Sequence, residues 1–271
     1  MKLLNGQELA DFIKERQAHQ VRGLIQHDGI KPRLAIIQTV DNPIIDTYVR
    51  LKKAYGADIL IDVDVHKISQ TEVLDLIAKL NADKNVHGII VQLPVKNPDE
   101  TDTIVNAVAP KKDVDGLGKN TVFDPATPMA INWLLVGHDV ELTGKNIVIV
   151  GNGRLVGRPL GRMWRNSGLS VEVLDSKTEN LGEKLRAADI VVTATGVPNL
   201  IESEFISANA VVIDAGTADE HGRITGDLAP NVRQRTDITI TPKIGGVGPL
   251  TVAALMDNVI RAARDSVQTD R

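Results

Sequence analysis

Ile147-Val148-Ile149-Val150-Gly151-Asn152-Gly153-Arg154-Leu155-Val156-Gly157-Arg158-Pro159 decides the fold class of this chain. Four β-branched residues make a short buried strand that runs directly into glycines opening a helix. Gly151 and Gly153 permit a tight turn and bring backbone N–H groups close to a ligand. The helix that follows points its positive end at the same place, which favours a pyrophosphate. The third glycine, Gly157, falls one residue later than in the usual dinucleotide fingerprint. A second strand, Val171–Leu174, ends on Asp175-Ser176, where an acid able to hold a ribose is expected. Two more apolar strands, Ile190–Ala194 and Ala210–Ile213, end near Gly196 and near Gly216-Thr217. These features predict a Rossmann-like dinucleotide site in which Gly151, Asn152, Gly153, Arg154, Val156 and Gly157 face the cofactor.

Length and composition fit two α/β domains. A chain of 271 residues suits two domains of ordinary size. Only 3 Phe, 2 Trp and 2 Tyr are present, so aliphatic side chains must fill the cores. The net charge of −4 is scattered, and no basic stripe suggests nucleic acid. With no cysteine, disulfides, thiolate catalysis and Cys-ligated zinc are excluded. The histidines at 19, 27, 66, 87, 138 and 221 lack metal-ligand spacing and are expected on surfaces and loops, so no metal is expected. Met1–Gly6 has no long apolar region and no run reaches transmembrane length, which predicts no membrane partner and a cytoplasmic location.

Before Ile147, strands alternate with helices, the pattern of parallel sheets. Leu9 to Ile25 carries helical spacing, a strand covers Leu34–Val40, and Asn42-Pro43 starts a helix reaching about Ala54. Ile59–Val65 reads as a strand and Val73–Leu80 as a helix. Val86–Leu93 is nearly continuous in apolar residues, as in a parallel strand buried on both faces. The loop Asp113–Pro128 is rich in Asp, Gly, Asn and Pro and holds the domain boundary. The predicted division is 1–122 with 250–271 as one domain and 123–249 as the other. Leu250–Ala263 is the last predicted helix.

Several residues in these elements are polar where polarity is costly. Tyr48 and Lys52 stand four apart and share a helix face. Gln92 interrupts an apolar run just before Pro94, at the carboxyl end of a predicted strand, where ligand crevices form. A buried carboxamide there must find partners. Read alone, Lys52 fits a solvated helix lysine and Asp115-Gly116 fits a turn. Gly245-Gly246-Val247-Gly248-Pro249 is a second glycine-rich loop aimed at a helix start, suited to close approach of a ligand.

Together these pieces resemble the bifunctional methylenetetrahydrofolate dehydrogenase/cyclohydrolases. The resemblance rests on Tyr48-x-x-x-Lys52, Gly88–Pro94 with its Gln92-Leu93-Pro94, Lys112–Gly116, Val156–Pro159 and Gly245–Thr251, in the family's order across nearly the whole chain. It implies an N-terminal folate domain completed by the last helix, a Rossmann-like domain, folate in a cleft between them, and a homodimer. By resemblance Lys52 is the general acid/base and Gln92 holds it. Tyr48 packs on the folate, Asp115 accepts from the pterin edge, and Leu93, Gly246 and Pro249 line the substrate. Gly245 touches both ligands. The cofactor implied is NADP, with NAD as the alternative, and the substrates are tetrahydrofolate derivatives.

Some residues depart from the family pattern. The usual Gly-Arg-Ser turn is Gly151-Asn152-Gly153, and the usual His-Ser is Asp175-Ser176. Ala126-Thr127-Pro128 replaces Cys-Thr-Pro, Ile45 replaces a serine, and the stretches after Lys53 and Gly116 are short. These departures bear on cofactor choice and on the shape of the folate pocket. Two other readings stand beside the bifunctional one: a monofunctional dehydrogenase, and a nucleotide-binding regulatory module with a decayed folate site.

Overall fold

A computed structural model of the chain describes residues 2–220 and 223–269, so His221 lies outside the described residues. In chain order the elements begin with β1 (Lys2–Leu3), α1 (Gly6–Gly23), β2 (Arg33–Gln38), α2 (Pro43–Asp58), β3 (Asp62–Lys67), α3 (Val73–Ala82) and β4 (Gly88–Gln92). There follow α4 (Thr101–Ala107), α5 (Ala126–Gly137), β5 (Ile147–Val150), α6 (Gly157–Asn166), β6 (Val171–Leu174) and α7 (Leu181–Arg186). The last are β7 (Ile190–Thr193), β8 (Val211–Asp214), β9 (Ala218–Glu220), β10 (Arg223–Thr225), β11 (Thr239–Ile240) and α8 (Val247–Thr269). No helix among the described residues is long and apolar enough to cross a membrane.

The chain forms two compact units, Met1–Ala10 with Thr127–Thr251, and Asp11–Ala126 with Val252–Arg271. We call them the Gly151 unit and the Lys52 unit. The Lys52 unit holds a parallel three-stranded sheet in the order β3-β2-β4. Ala35, Ile37, Ile89 and Val91 pack on Val73, Ile77, Ile104 and Val105 of α3 and α4. Each fully buried Val or Ile side chain among them stabilises the fold by about 1.5–3 kcal/mol. The β3 strand starts later than the alternation suggests, because Ile59 and Ile61 are buried before the strand begins. Helix α2 runs past Ala54 to Asp58; Gly56 packs so closely on Val63 that a Cβ would lie 2.6 Å from its Cγ2.

The Gly151 unit holds a six-stranded sheet ordered β1-β11-β8-β7-β5-β6, parallel throughout. Its core joins Val148, Val150, Val191, Val212 and Ile240 to Leu185, Ile201 and Ile206. Trp164 of α6 is fully buried, and its indole N–H donates to Asn132 Oδ1 of α5 at 2.6 Å. The first ten residues, which the sequence division groups with 11–122, pack in this unit. Leu4 N–H donates to Ile240 O at 2.9 Å, and β1 lies along β11. Four strands have too few residues to show periodicity in the sequence: β1, β11 and the paired β9 and β10.

His87 lies in the loop just before β4, a loop residue as expected but not a surface one. It is buried, and its Nδ1 accepts the Arg33 N–H at 3.2 Å, so the neutral ring is part of the pairing of β2 with β4. Burial, aided by Lys112, holds its pKa below the ordinary histidine value. The unfolded chain therefore binds this proton more readily. The stability contributed is whole above pH ~6.5 and is lost as pH falls toward the depressed folded value. Denaturant titrations at pH 7.5 and pH 5 should show that loss in the native chain and a smaller one in His87→Asn. Equal losses in both would assign the acid sensitivity to other groups.

Candidate active site

In the Lys52 unit the site grows from the ends of β2 and β4. The strand order turns back at β2, with β3 on one side and β4 on the other, so the crevice of an open parallel sheet falls beyond these carboxyl ends. Gln38 and Gln92 are register partners there. Asn42 caps α2 by accepting from the N–H groups of Ile44 at 2.8 Å and Ile45 at 3.3 Å, and Pro43 takes the first position. The helix so aligned brings Lys52 over β4, where its Nζ donates to Gln92 Oε1 at 2.8 Å. Gln92 Nε2 donates to Leu93 O at 3.3 Å, which fixes the carboxamide with its oxygen toward the lysine.

Lys52 is thus no solvated helix lysine. Burial holds its ammonium below the ordinary lysine range, and the Asp115 carboxylate acts in the opposite sense. Burial pushes Asp115 up, while Lys52 pulls it down and Asp113 adds to the rise. A half-buried amine with depressed basicity, held by one neutral acceptor, gives up its proton more readily than a solvated lysine and is suited to proton transfer. Tyr48 lies on the same helix, half-buried, one turn earlier.

The turn carrying Asp115 is anchored from β4, from its own Asp113 and Gly116, and from α8. Ile89 N–H donates to Lys112 O at 2.7 Å, so the segment before Asp115 runs beside β4. Asp113 is buried and its carboxylate accepts from Gly118 N–H at 2.7 Å. Gly116 has φ +70°, and a Cβ there would lie 2.8 Å from Pro125 N. Asn258 of α8, itself buried, donates to Val114 O at 2.9 Å and Asp124 O at 3.0 Å. The signal available in the sequence was a carboxamide breaking the apolar stripe of the last helix.

In the Gly151 unit, β6 lies on one side of β5 and β7, β8 and β11 on the other, so the strand order reverses where the glycine turn begins. Gly151 has φ +107°, and a Cβ would come 2.5 Å from Ala194 O. A Cβ on Gly157 would sit 1.6 Å from Gly151 O, and one on Gly161 would meet Val173 at 2.6 Å. Gly153 has open space around it. The three constrained glycines therefore serve the turn, the contact of helix start with turn, and helix-on-strand packing, which is what a pyrophosphate cradle requires. The displaced glycine of the motif is a spacing variant with its steric role intact.

Asp175 is exposed at the end of β6, and its Oδ1 accepts the Lys177 N–H at 3.0 Å. Ser176 is exposed beside it, while Gly196 and Thr217 lie just beyond the ends of β7 and β8. The Gly245 loop has a structural duty: Gly245 O accepts from the N–H groups of Gly6 at 2.8 Å and Gln7 at 3.0 Å, capping α1. Gly245, Gly246 and Pro249 belong to the Gly151 unit, whereas Tyr48, Lys52, Gln92, Leu93 and Asp115 belong to the Lys52 unit. Among the described residues no group of three or more His, Cys, Asp or Glu could hold a metal ion.

An α/β unit with a glycine turn shaped for a pyrophosphate, joined to an α/β unit with a half-buried lysine–glutamine pair, is the architecture of a two-domain dehydrogenase. Residues 4–115 match the tetrahydrofolate dehydrogenase/cyclohydrolase catalytic domain, and residues 125–267 match the NAD(P)-binding domain of the same family. The chain belongs to the tetrahydrofolate dehydrogenase/cyclohydrolase family. It is 35% identical to the bifunctional protein FolD of Exiguobacterium sibiricum, over 97% of this chain and 99% of that one. The bifunctional FolD dehydrogenase/cyclohydrolase structure from Campylobacter jejuni superposes with a TM-score of 0.90 at 36% identity, covering 98% of this chain and 99% of that one. The FolD from Trypanosoma brucei, solved with NADP and an inhibitor, gives 0.91 at 30% identity with 98% of each chain covered.

Proposed function

We propose that this chain oxidises 5,10-methylene-tetrahydrofolate to 5,10-methenyl-tetrahydrofolate with NADP or NAD, then hydrolyses the product to 10-formyl-tetrahydrofolate in one-carbon metabolism. The observation that carries the reading is the Lys52–Gln92 pair at 2.8 Å, in a chain of this family. The one-carbon unit bridges two nitrogens whose lone pairs push a hydride from the carbon; a dinucleotide in the Gly151 turn would supply the acceptor. Orientation is the chief demand of that step. Tyr48 packs on and orients the folate, Asp115 accepts from the amino-pyrimidine edge of the pterin, and Leu93, Gly246 and Pro249 line the substrate. Around the dinucleotide stand Gly151, Asn152, Gly153, Arg154, Val156, Gly157, Asp175, Ser176, Gly196, Thr217 and Gly245.

Hydrolysis needs a base. Water adds to the methenyl carbon while the free amine of Lys52 takes a proton from it. The carbon–nitrogen bond then opens: the hydroxyl of the adduct gives up its proton as the ring nitrogen gains one. Overall one proton passes to solvent. Gln92 holds the amine in place by accepting its N–H. The family resemblance also supports a cytoplasmic homodimer. A paired assay tests the whole reading: reduced dinucleotide appears from methylene-tetrahydrofolate, and supplied methenyl-tetrahydrofolate is hydrolysed. Oxidation without hydrolysis would identify a monofunctional dehydrogenase, and neither activity would leave a regulatory module.

Two substitutions probe the individual ligands. Asp115→Ala should weaken folate binding by about 1.5–3 kcal/mol, the range for a charge-assisted hydrogen bond, with dinucleotide affinity unchanged. Because the Asp115 charge supports protonation of Lys52, Asp115→Asn should also move the acidic limb of the hydrolysis profile to lower pH. Calorimetry with each ligand checks the first; equal loss for both would make Asp115 a turn residue only. A carboxylate at Asp175 accepts from a ribose 2′-OH and repels a 2′-phosphate. Asp175→Ser should therefore raise the ratio of kcat/KM for NADP over NAD by at least ~10-fold, about 1.4 kcal/mol. An unmoved ratio would place Asp175 away from the ribose.

A further inference from the structure

The strand order says where the two halves of a dinucleotide must lie. With the phosphate turn at β5 and the ribose acid at β6, the nicotinamide half falls to the other side, over the ends of β7 and β8. Beneath those ends are two buried carboxylates. Asp214 closes β8 and pairs with Arg233 Nη2 at 2.5 Å. Asp227 is fully buried; its Oδ2 accepts from the Thr193 hydroxyl at 2.5 Å and from Thr195 N–H at 2.7 Å. Its Oδ1 has no hydrogen-bond donor among the described residues and lies against Gly216, where a Cβ would come within 2.0 Å of it.

Arg233 balances Asp214, and no cation pairs with Asp227 among the described residues. A buried carboxyl oxygen without a donor is costly, so its retention under a ligand-facing loop asks for a compensating charge. We propose that Asp227 is the buried counter-charge of the oxidised nicotinamide ring, set beneath the loop that Thr195 begins. This rests on the dinucleotide reading of the Gly151 unit. The oxidised ring carries a positive charge that vanishes when the hydride arrives. A fixed negative charge in a low-dielectric interior therefore favours the oxidised form over the reduced one. A residue that only shaped the loop would act on both forms alike. Asp227 touches no ligand in this arrangement; it acts through position and field.

The test is a set of binding titrations on the full chain with NADP, NADPH and the 2′-phosphate of ADP-ribose, and with NAD, NADH and ADP-ribose. Asp227→Asn should weaken the oxidised dinucleotide by about tenfold and the reduced one by less than about threefold. The fragment lacking nicotinamide should bind unchanged, which also reports an intact fold. Asp227→Ser removes the charge with a smaller side chain and should shift the same ratio, serving if the asparagine variant does not fold. Equal weakening of oxidised and reduced forms, or an unmoved ratio, would overturn the proposal. Failure of the native chain to bind the fragments would overturn the dinucleotide reading itself.

Discussion

Lys52→Met should abolish hydrolysis of supplied methenyl-tetrahydrofolate, lowering the rate by roughly 10²–10⁴-fold, the usual worth of a positioned acid/base. Methionine keeps the length and apolar stem, so α2 and its packing on the sheet persist. The amine that donates to Gln92 at 2.8 Å is what disappears. Oxidation of methylene-tetrahydrofolate should fall less, because the substrate nitrogens drive hydride departure and Lys52 contributes only to placement of the folate. Dinucleotide affinity should not change. Single-turnover hydrolysis at several pH values is the measurement, since the native rate should rise as Lys52 loses its proton. A variant that keeps most of its hydrolysis would remove Lys52 from the chemistry.

Gly157→Ala should be the most damaging change in the Gly151 unit. The added carbon would lie 1.6 Å from Gly151 O, backbone against backbone, and neither side has a flexible end that can yield. The start of α6 must move away from the turn, which separates the helix N-terminus from the phosphates it would hold. Overpacking of this kind costs about 3 kcal/mol, and dinucleotide binding should be lost with it. Gly153→Ala is the internal control, because that position has open space and should fold normally. Thermal unfolding of both variants, with dinucleotide titration of Gly157→Ala, decides the matter. Comparable behaviour of the two would mean that the turn relaxes more freely than its geometry suggests.

Where chemistry forces a pattern, the sequence was legible. Ile147–Val150 is buried at every position, and the four strands read from β5 onward lie within a residue or so of their expected bounds. Asn42 and Pro43 start α2 as their chemistry demands. The pairing of Lys52 with Gln92 was readable only through the family likeness, since nothing local links a helix lysine to a residue 40 positions on. Helix ends were misjudged where packing outweighs local signals: α8 begins at Val247 and continues past Ala263 to Thr269. Asp113, Asn258, Asp214 and Asp227 went unnoticed because a carboxylate or carboxamide in a turn or helix looks solvated until its partners are known. Asn258 is the extreme case: the carbonyls it serves, Val114 O and Asp124 O, lie 144 and 134 positions away in the chain.

That distance bears on how the protein is made. The edge strand at Lys2–Leu3 lies against Thr239–Ile240, and the carbonyl that caps α1 belongs to Gly245. In the other unit, Asn258 supplies the donor for Val114 O and Asp124 O. A ribosome releasing this chain must therefore emit nearly all of it before either unit is complete, although the strands β2, β3 and β4 are all present once Gln92 is out. The first ten residues wait with open backbone groups while more than two hundred others follow. Closing such long loops is entropically slow, and the waiting edge is exposed to wrong partners meanwhile. Fusions or truncations at the amino terminus should thus reveal themselves in yield and aggregation during synthesis before they reveal themselves in catalysis.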